Sequence, residues 1–169
     1  MVHAAYSSGS PALGVGVGNA VITVDDTADL DAAAEKIRLS KTLDLAASCS
    51  SDNSVVLLDG IYEPMLEKLK AQGGYLCNEE EKAALRNTLW DKELHLNTAI
   101  VAQPPEKIAQ MAGLSIPEET KFFIVPEEGW GPEHPFSGEK LSVIMALYRA
   151  RDIDHAIELT QNIQAYQGQ

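Results

Sequence analysis

Lys41-Thr42-Leu43-Asp44-Leu45-Ala46-Ala47-Ser48-Cys49-Ser50-Ser51-Asp52-Asn53-Ser54-Val55-Val56-Leu57-Leu58 carries the chain from the end of an amphipathic helix, through a loop of small polar residues, into an apolar strand. Upstream, Ala33, Ala34, Ile37 and Leu45 recur at helical spacing and predict a buried stripe along a helix over residues 32–43, with Asp29 or Asp31 as its cap. Downstream, residues 61–72 return to the helical period with Met65, Leu66 and Leu69 inward, and Gly73-Gly74 ends them. Helix, loop, strand and helix in succession are the repeating unit of an α/β domain whose sheet is mainly parallel and flanked by helices.

The same alternation runs through the rest of the chain. Val21-Ile22-Thr23-Val24 predicts a strand, and Asn78 caps a helix to Leu89 whose first turn carries Glu79, Glu80 and Glu81 at the positive end of its dipole. Ala99-Ile100-Val101-Ala102 reads as a strand and residues 105–112 as a short helix. Phe122-Phe123-Ile124-Val125 is a strand closed by Pro126, and residues 127–138 form a loop bearing Trp130 and His134. A strand over 143–148 and a helix over 152–164 complete the pattern, with no internal repeat or linker, so residues 1–169 form one domain.

Composition narrows the function. The 169 residues are 45% apolar and 22% charged, ordinary for a globular protein. A formal charge of −12 argues against nucleic acid or an anionic membrane as partner, because phosphates need Lys and Arg. Two cysteines, Cys49 and Cys77, and the scattered histidines His3, His95, His134 and His155 offer no spacing suited to zinc, so no metal site is expected. Without a membrane-length apolar run or a signal pattern, a reducing cytoplasm is the expected location. Cys49 stands out. Aliphatic neighbours surround a thiol buried for packing, whereas Ser48, Ser50 and Ser51 leave room for a substrate and for backbone N–H groups to face an oxyanion. A small core cysteine is the alternative reading of the same residues.

Ala4-Ala5-Tyr6-Ser7-Ser8-Gly9, Pro11-Ala12-Leu13-Gly14-Val15-Gly16-Val17-Gly18-Asn19, Ser40-Lys41-Thr42, Cys49, Gly73-Gly74-Tyr75-Leu76 and Pro135-Phe136-Ser137-Gly138-Glu139-Lys140-Leu141-Ser142 follow one another in an order that resembles the catalytic domain of CoA-acylating aldehyde dehydrogenases. The likeness extends to the aldehyde half of bifunctional aldehyde–alcohol dehydrogenases. It implies the aldehyde dehydrogenase catalytic-domain fold without the Rossmann cofactor domain, a truncation start at Met1, and a missing Gly-His segment after Gln169. A piece of this kind is expected to be inactive alone.

The resemblance also implies roles. Cys49 matches the nucleophile that attacks the aldehyde carbonyl, with its own backbone N–H as the expected oxyanion donor. Hydride then passes to NAD or NADP, and coenzyme A takes the acyl group from the cysteine thioester. Glu139 matches the glutamate that hydrogen-bonds the nicotinamide ribose hydroxyls; on its residues alone it is a solvated loop carboxylate paired with Lys140. Hydrolytic relatives carry a water-activating glutamate where this chain has Gly14-Val15-Gly16-Val17-Gly18, and Val15 cannot activate water. Lys41 is expected to bring positive charge toward the cysteine loop. The serines around Cys49 resemble those of acylating sulfoacetaldehyde dehydrogenases and make sulfoacetaldehyde a candidate substrate. A homo-oligomer is expected of the complete enzyme. Two other readings stay open: a non-catalytic assembly module, and an acyl-phosphate reductase that forms a semialdehyde.

Overall fold

Ile37, Leu57, Met65 and Leu69 are among the largest fully buried side chains, and they belong to the helices and strand that frame the cysteine loop. The computed structural model describes residues 2–14 and 18–167. After a short helix α1 (Val2–Tyr6), the strands are β1 (Ala20–Val24), β2 (Asp52–Leu58), β3 (Gly74–Leu76), β4 (Phe122–Pro126) and β5 (Ile144–Ala150). They form a single sheet in the order β1-β2-β5-β4-β3, with every neighbouring pair parallel. The inner strands β2 and β5 are buried along almost their whole length, as strands covered on both faces must be.

The connections are helical: α2 (Leu30–Thr42), α3 (Tyr62–Ala71), α4 (Glu79–Leu89), α5 (Pro105–Ala112) and, after β5, α6 (Ile153–Tyr166). Asp29, not Asp31, caps α2, its carboxylate accepting from the N–H groups of Asp31 and Ala32. Asn78 and Glu81 close a reciprocal capping box on α4, which accounts for part of the acidic triplet. Helix α6 packs across β1, β2 and β5, while α2 and α3 pack against each other and against β2.

Two elements differ from the sequence expectation. Residues 99–102 are not a strand: Asn97 accepts from the Ala99 N–H and starts a 3-10 turn at Thr98–Ile100. Ala102 then takes a φ of 54° and donates its N–H to the Leu141 carbonyl, tying this turn to the approach to β5. Gly74-Tyr75-Leu76, expected only to follow a helix end, is edge strand β3 beside β4. Gly74 belongs there because a Cβ would lie 2.6 Å from Ile124 Cδ1 and 2.8 Å from the Leu69 carbonyl.

Candidate functional site

Because the sheet is parallel, the segments leading into β1, β2 and β5 meet at one rim. Asn19 sits just before β1, the Cys49 loop just before β2, and residues 135–142 before β5. Ser54 of β2 lies opposite Ala146 of β5, so Cys49 and Glu139 approach adjacent strands from the same end. Open α/β sheets commonly bind ligands at the carboxyl ends of their strands; this rim is the amino end.

The loop is reached through an unusual turn. Past Thr42 the chain enters a 3-10 turn, Leu43–Ala46, in which Asp44, Leu45 and Ala46 have φ values of 50°, 51° and 59°. Left-handed geometry costs L-residues roughly 1–2 kcal/mol apiece. Ala46 is buried and Leu45 packs against the core, which holds the turn in place. Ser51 then donates its N–H to the Ser48 carbonyl at 3.0 Å, folding Cys49 into the tip of a tight turn. Cys49 is exposed, as a nucleophile requires and a core cysteine does not. The Ser48 and Ser50 hydroxyls flank it and hydrogen-bond each other at 2.8 Å. Among the described residues no hydrogen bond engages the Cys49 N–H. Cys77, by contrast, is buried, and burial next to Glu81 pushes its thiol up to about 12.

The second wall of the rim is a buried polar network. Asn19 donates through Nδ2 to the Ser137 carbonyl at 2.7 Å and to the Ile163 carbonyl at 3.3 Å, joining the start of β1 to the approach to β5 and the end of α6. Lys140 is fully buried, and its ammonium donates to the carbonyls of Phe136 (2.6 Å) and Gly138 (2.8 Å). Its backbone N–H donates to Asn53 Oδ1 at 3.3 Å, bonding this segment to β2. Lys140 is thus anchored by carbonyl oxygens and is not the surface partner of Glu139. Glu139 is half-buried; burial raises its carboxyl above the ordinary range while Lys140 and Lys41 act to lower it. Its Oε1 is buried and, among the described residues, has no hydrogen-bond partner. Phe136 is core, packed edge-on against Trp90 with ring centroids 5.0 Å apart.

The structure therefore places both sequence-predicted site residues, Cys49 and Glu139, on one rim. Val15 lies outside the described residues. His134, read from sequence as incidental, hydrogen-bonds the buried Glu127 carboxylate at 2.8 Å beside Lys82, at the opposite rim. Among the described residues, one grouping of metal-ligand types occurs: Asp91, Glu93 and His95 in an exposed turn. There the Asp91 carboxylate already accepts from the N–H groups of Glu93 and His95. Sequence reading singled out Lys41 but missed its burial, and it missed the buried Asp52, although Ala34, Ile37 and Lys41 share one helical stripe and a lysine there signals a buried charge.

The five-stranded parallel sheet flanked by helices matches the fold of solved acylating aldehyde dehydrogenases. An acetylating aldehyde dehydrogenase from Geobacillus thermoglucosidasius superposes with a TM-score of 0.93 at 40% identity, over 99% of this chain and 37% of that one. The chain is 43% identical over 168 residues to the bifunctional aldehyde-alcohol dehydrogenase AdhE of Escherichia coli, covering 99% of this chain and 19% of that protein. To the acylating sulfoacetaldehyde dehydrogenase of Cupriavidus necator it is 44% identical over 169 residues, covering 99% and 34%. No family model matches. By sequence and by fold, the chain is homologous to one segment of the acylating aldehyde dehydrogenases, and it spans between a fifth and about a third of these curated relatives.

Proposed function

We propose that this chain is the thiol-bearing catalytic domain, residues 1–169, of an oxidoreductase that converts an aldehyde and coenzyme A to an acyl-CoA with NAD or NADP as oxidant. The observation that carries the reading is the exposed Cys49 at a turn tip, on the same rim as the half-buried carboxylate of Glu139. The Cys49 thiolate attacks the aldehyde carbonyl, and the new oxyanion lies within reach of the unengaged Cys49 N–H. Glu139 suits the ribose of a nicotinamide cofactor, since its half-buried carboxylate is an acceptor for hydroxyl donors. That cofactor, when bound, accepts the hydride lost as the thiohemiacetal becomes a Cys49 thioester. The thiolate of coenzyme A then displaces Cys49, conserving the thioester and regenerating the free thiol.

Sulfoacetaldehyde is the proposed substrate. The exposed hydroxyls of Ser48 and Ser50 beside Cys49 suit the oxygens of a sulfonate better than an alkyl tail, and the Cupriavidus relative is named for that aldehyde. A homo-oligomer in the cytoplasm completes the proposal; among the described residues no helix is long and apolar enough to cross a membrane. The test is turnover by the polypeptide carrying this segment, with NAD or NADP, a panel of aldehydes, and coenzyme A present or absent. Acyl-CoA formed only with coenzyme A, fastest from sulfoacetaldehyde and abolished by Cys49→Ala, is expected. Free acid formed equally well without coenzyme A would overturn the acyl-transfer step.

A further inference from the structure

Lys41 occupies the last turn of α2 on the stripe formed by Ala34 and Ile37, a position whose packing calls for an apolar side chain. It is fully buried, and among the described residues its ammonium has no hydrogen-bond partner. A buried, unpaired ammonium is costly unless opposite charge surrounds it. Among the described residues no direct ion pair engages it; the carboxylates of Asp52 and Glu139 attract it from further off, and each has one buried oxygen without a hydrogen-bond partner there, Asp52 Oδ2 and Glu139 Oε1. The hydroxyls of Ser54, two residues along β2 from Asp52, and of Ser142, just before β5, are likewise buried and unpartnered.

The position matters as much as the charge. Asp52, the first residue of β2, donates its N–H to Ser40 Oγ at 3.2 Å, so Ser40 and Lys41 at the end of α2 face Asp52 across the base of the Cys49 loop. Glu139 stands on the neighbouring segment before β5. Lys41 thus acts electrostatically on both the loop base and Glu139. Lys140, also buried, faces Lys41 as a like charge, but its ammonium is already satisfied by two carbonyls.

We propose that Lys41 is a positioning residue: its buried ammonium is the shared counter-charge of Asp52, at the base of the Cys49 loop, and of Glu139, and it favours the ionised, accepting form of the Glu139 carboxylate. The consequence for ribose binding rests on the dehydrogenase reading; the electrostatic linkage does not. Lys41 does not touch the reacting atoms and acts through Glu139. Burial pushes Lys41 down to about 7, against the pull of Asp52 and Glu139, so the ammonium is fully formed over the range in which carboxyl groups titrate.

The experiment is a carbon-detected NMR titration of carboxyl groups in the chain and in Lys41→Met. The expected result is an upward move of the Glu139 and Asp52 midpoints by about one pH unit or more, while the distant Glu106 stays in place. In the reciprocal measurement, the side-chain resonances of Lys41 are followed in Glu139→Gln and Asp52→Asn, where the lysine midpoint falls; this also serves if Lys41→Met does not fold. An unmoved Glu139 midpoint in folded Lys41→Met, or an unmoved Lys41 midpoint in Glu139→Gln, overturns the proposal. No aldehyde or cofactor enters these measurements. Intact linkage without CoA-dependent turnover would therefore refute only the dehydrogenase reading, and turnover without linkage only the role of Lys41.

Discussion

Replacing Lys41 by Met should change how stability depends on pH, and the size of the effect follows from burial. In the unfolded chain the lysine keeps its proton up to its ordinary 10.5, whereas in the fold burial pushes it down to about 7. Between those values the unfolded state binds more protons than the native state, so stability rises with pH. Below about 7 both states are protonated and the full burial penalty is present. At about 1.36 kcal/mol per unit, two units of the window, from pH 7 to 9, correspond to roughly 2.7 kcal/mol. Cys77 has the opposite sign, its thiol raised from 9.0 to about 12, and its contribution is lost as pH climbs past 9 in both proteins alike. Lys140, also pushed down by burial, contributes to both proteins and largely cancels in the difference. Urea unfolding of the two proteins across this range gives the stability difference directly. It should shift in favour of the wild type by about 2–3 kcal/mol between pH 7 and 9. A difference that stays constant within about 0.5 kcal/mol would refute the buried-ammonium argument.

Other substitutions test other parts of the structure. Cys49→Ala should abolish acyl-enzyme formation, seen by intact-mass spectrometry, yet change unfolding free energy by less than about 0.5 kcal/mol because the residue is exposed. In the Glu127 cluster the carboxylate side chain is 2% exposed while its partners Lys82 and His134 are 21% and 40% exposed. Lys82→Met strands the buried member and should cost about 3 kcal/mol in urea unfolding; Glu127→Gln leaves only partners that water can reach and should cost less than half as much. Gly74→Ala forces a Cβ against Ile124 and the Leu69 carbonyl and should destabilise by about 1–3 kcal/mol, read as a lowered melting temperature.

The sequence made the architecture legible wherever burial followed a regular period. Val55 to Leu58 and Phe122 to Val125 announce inner strands because both faces of each are buried, and Asp29, Asn78 and Asp152 announce helix starts because each accepts from the N–H groups that follow it. Residues 99–102 misled because β-branched residues suggest a strand, while one Asn97 cap and one left-handed alanine decided otherwise. Edge strand β3 was hidden because three residues are too few to show alternation. At the site, the polarity of the loop around Cys49 was visible in local composition. The burial of Lys41 and Lys140, the partner of His134 and the buried oxygen of Glu139 depend on segments far apart in sequence, and no local pattern records them.

The strand order also has a consequence for biosynthesis. β5 lies between β2 and β4 although it is the last strand in the chain. Until residues 144–150 emerge from the ribosome, the four earlier strands among the described residues can pair only as two separate ribbons, β1 with β2 and β3 with β4. Each would expose the backbone edge that β5 later occupies, and such edges invite mispairing between nascent chains. The segment that carries Glu139 to the rim leads directly into that final strand, so insertion of the strand that seals the sheet also brings Glu139 onto the rim beside the Cys49 loop.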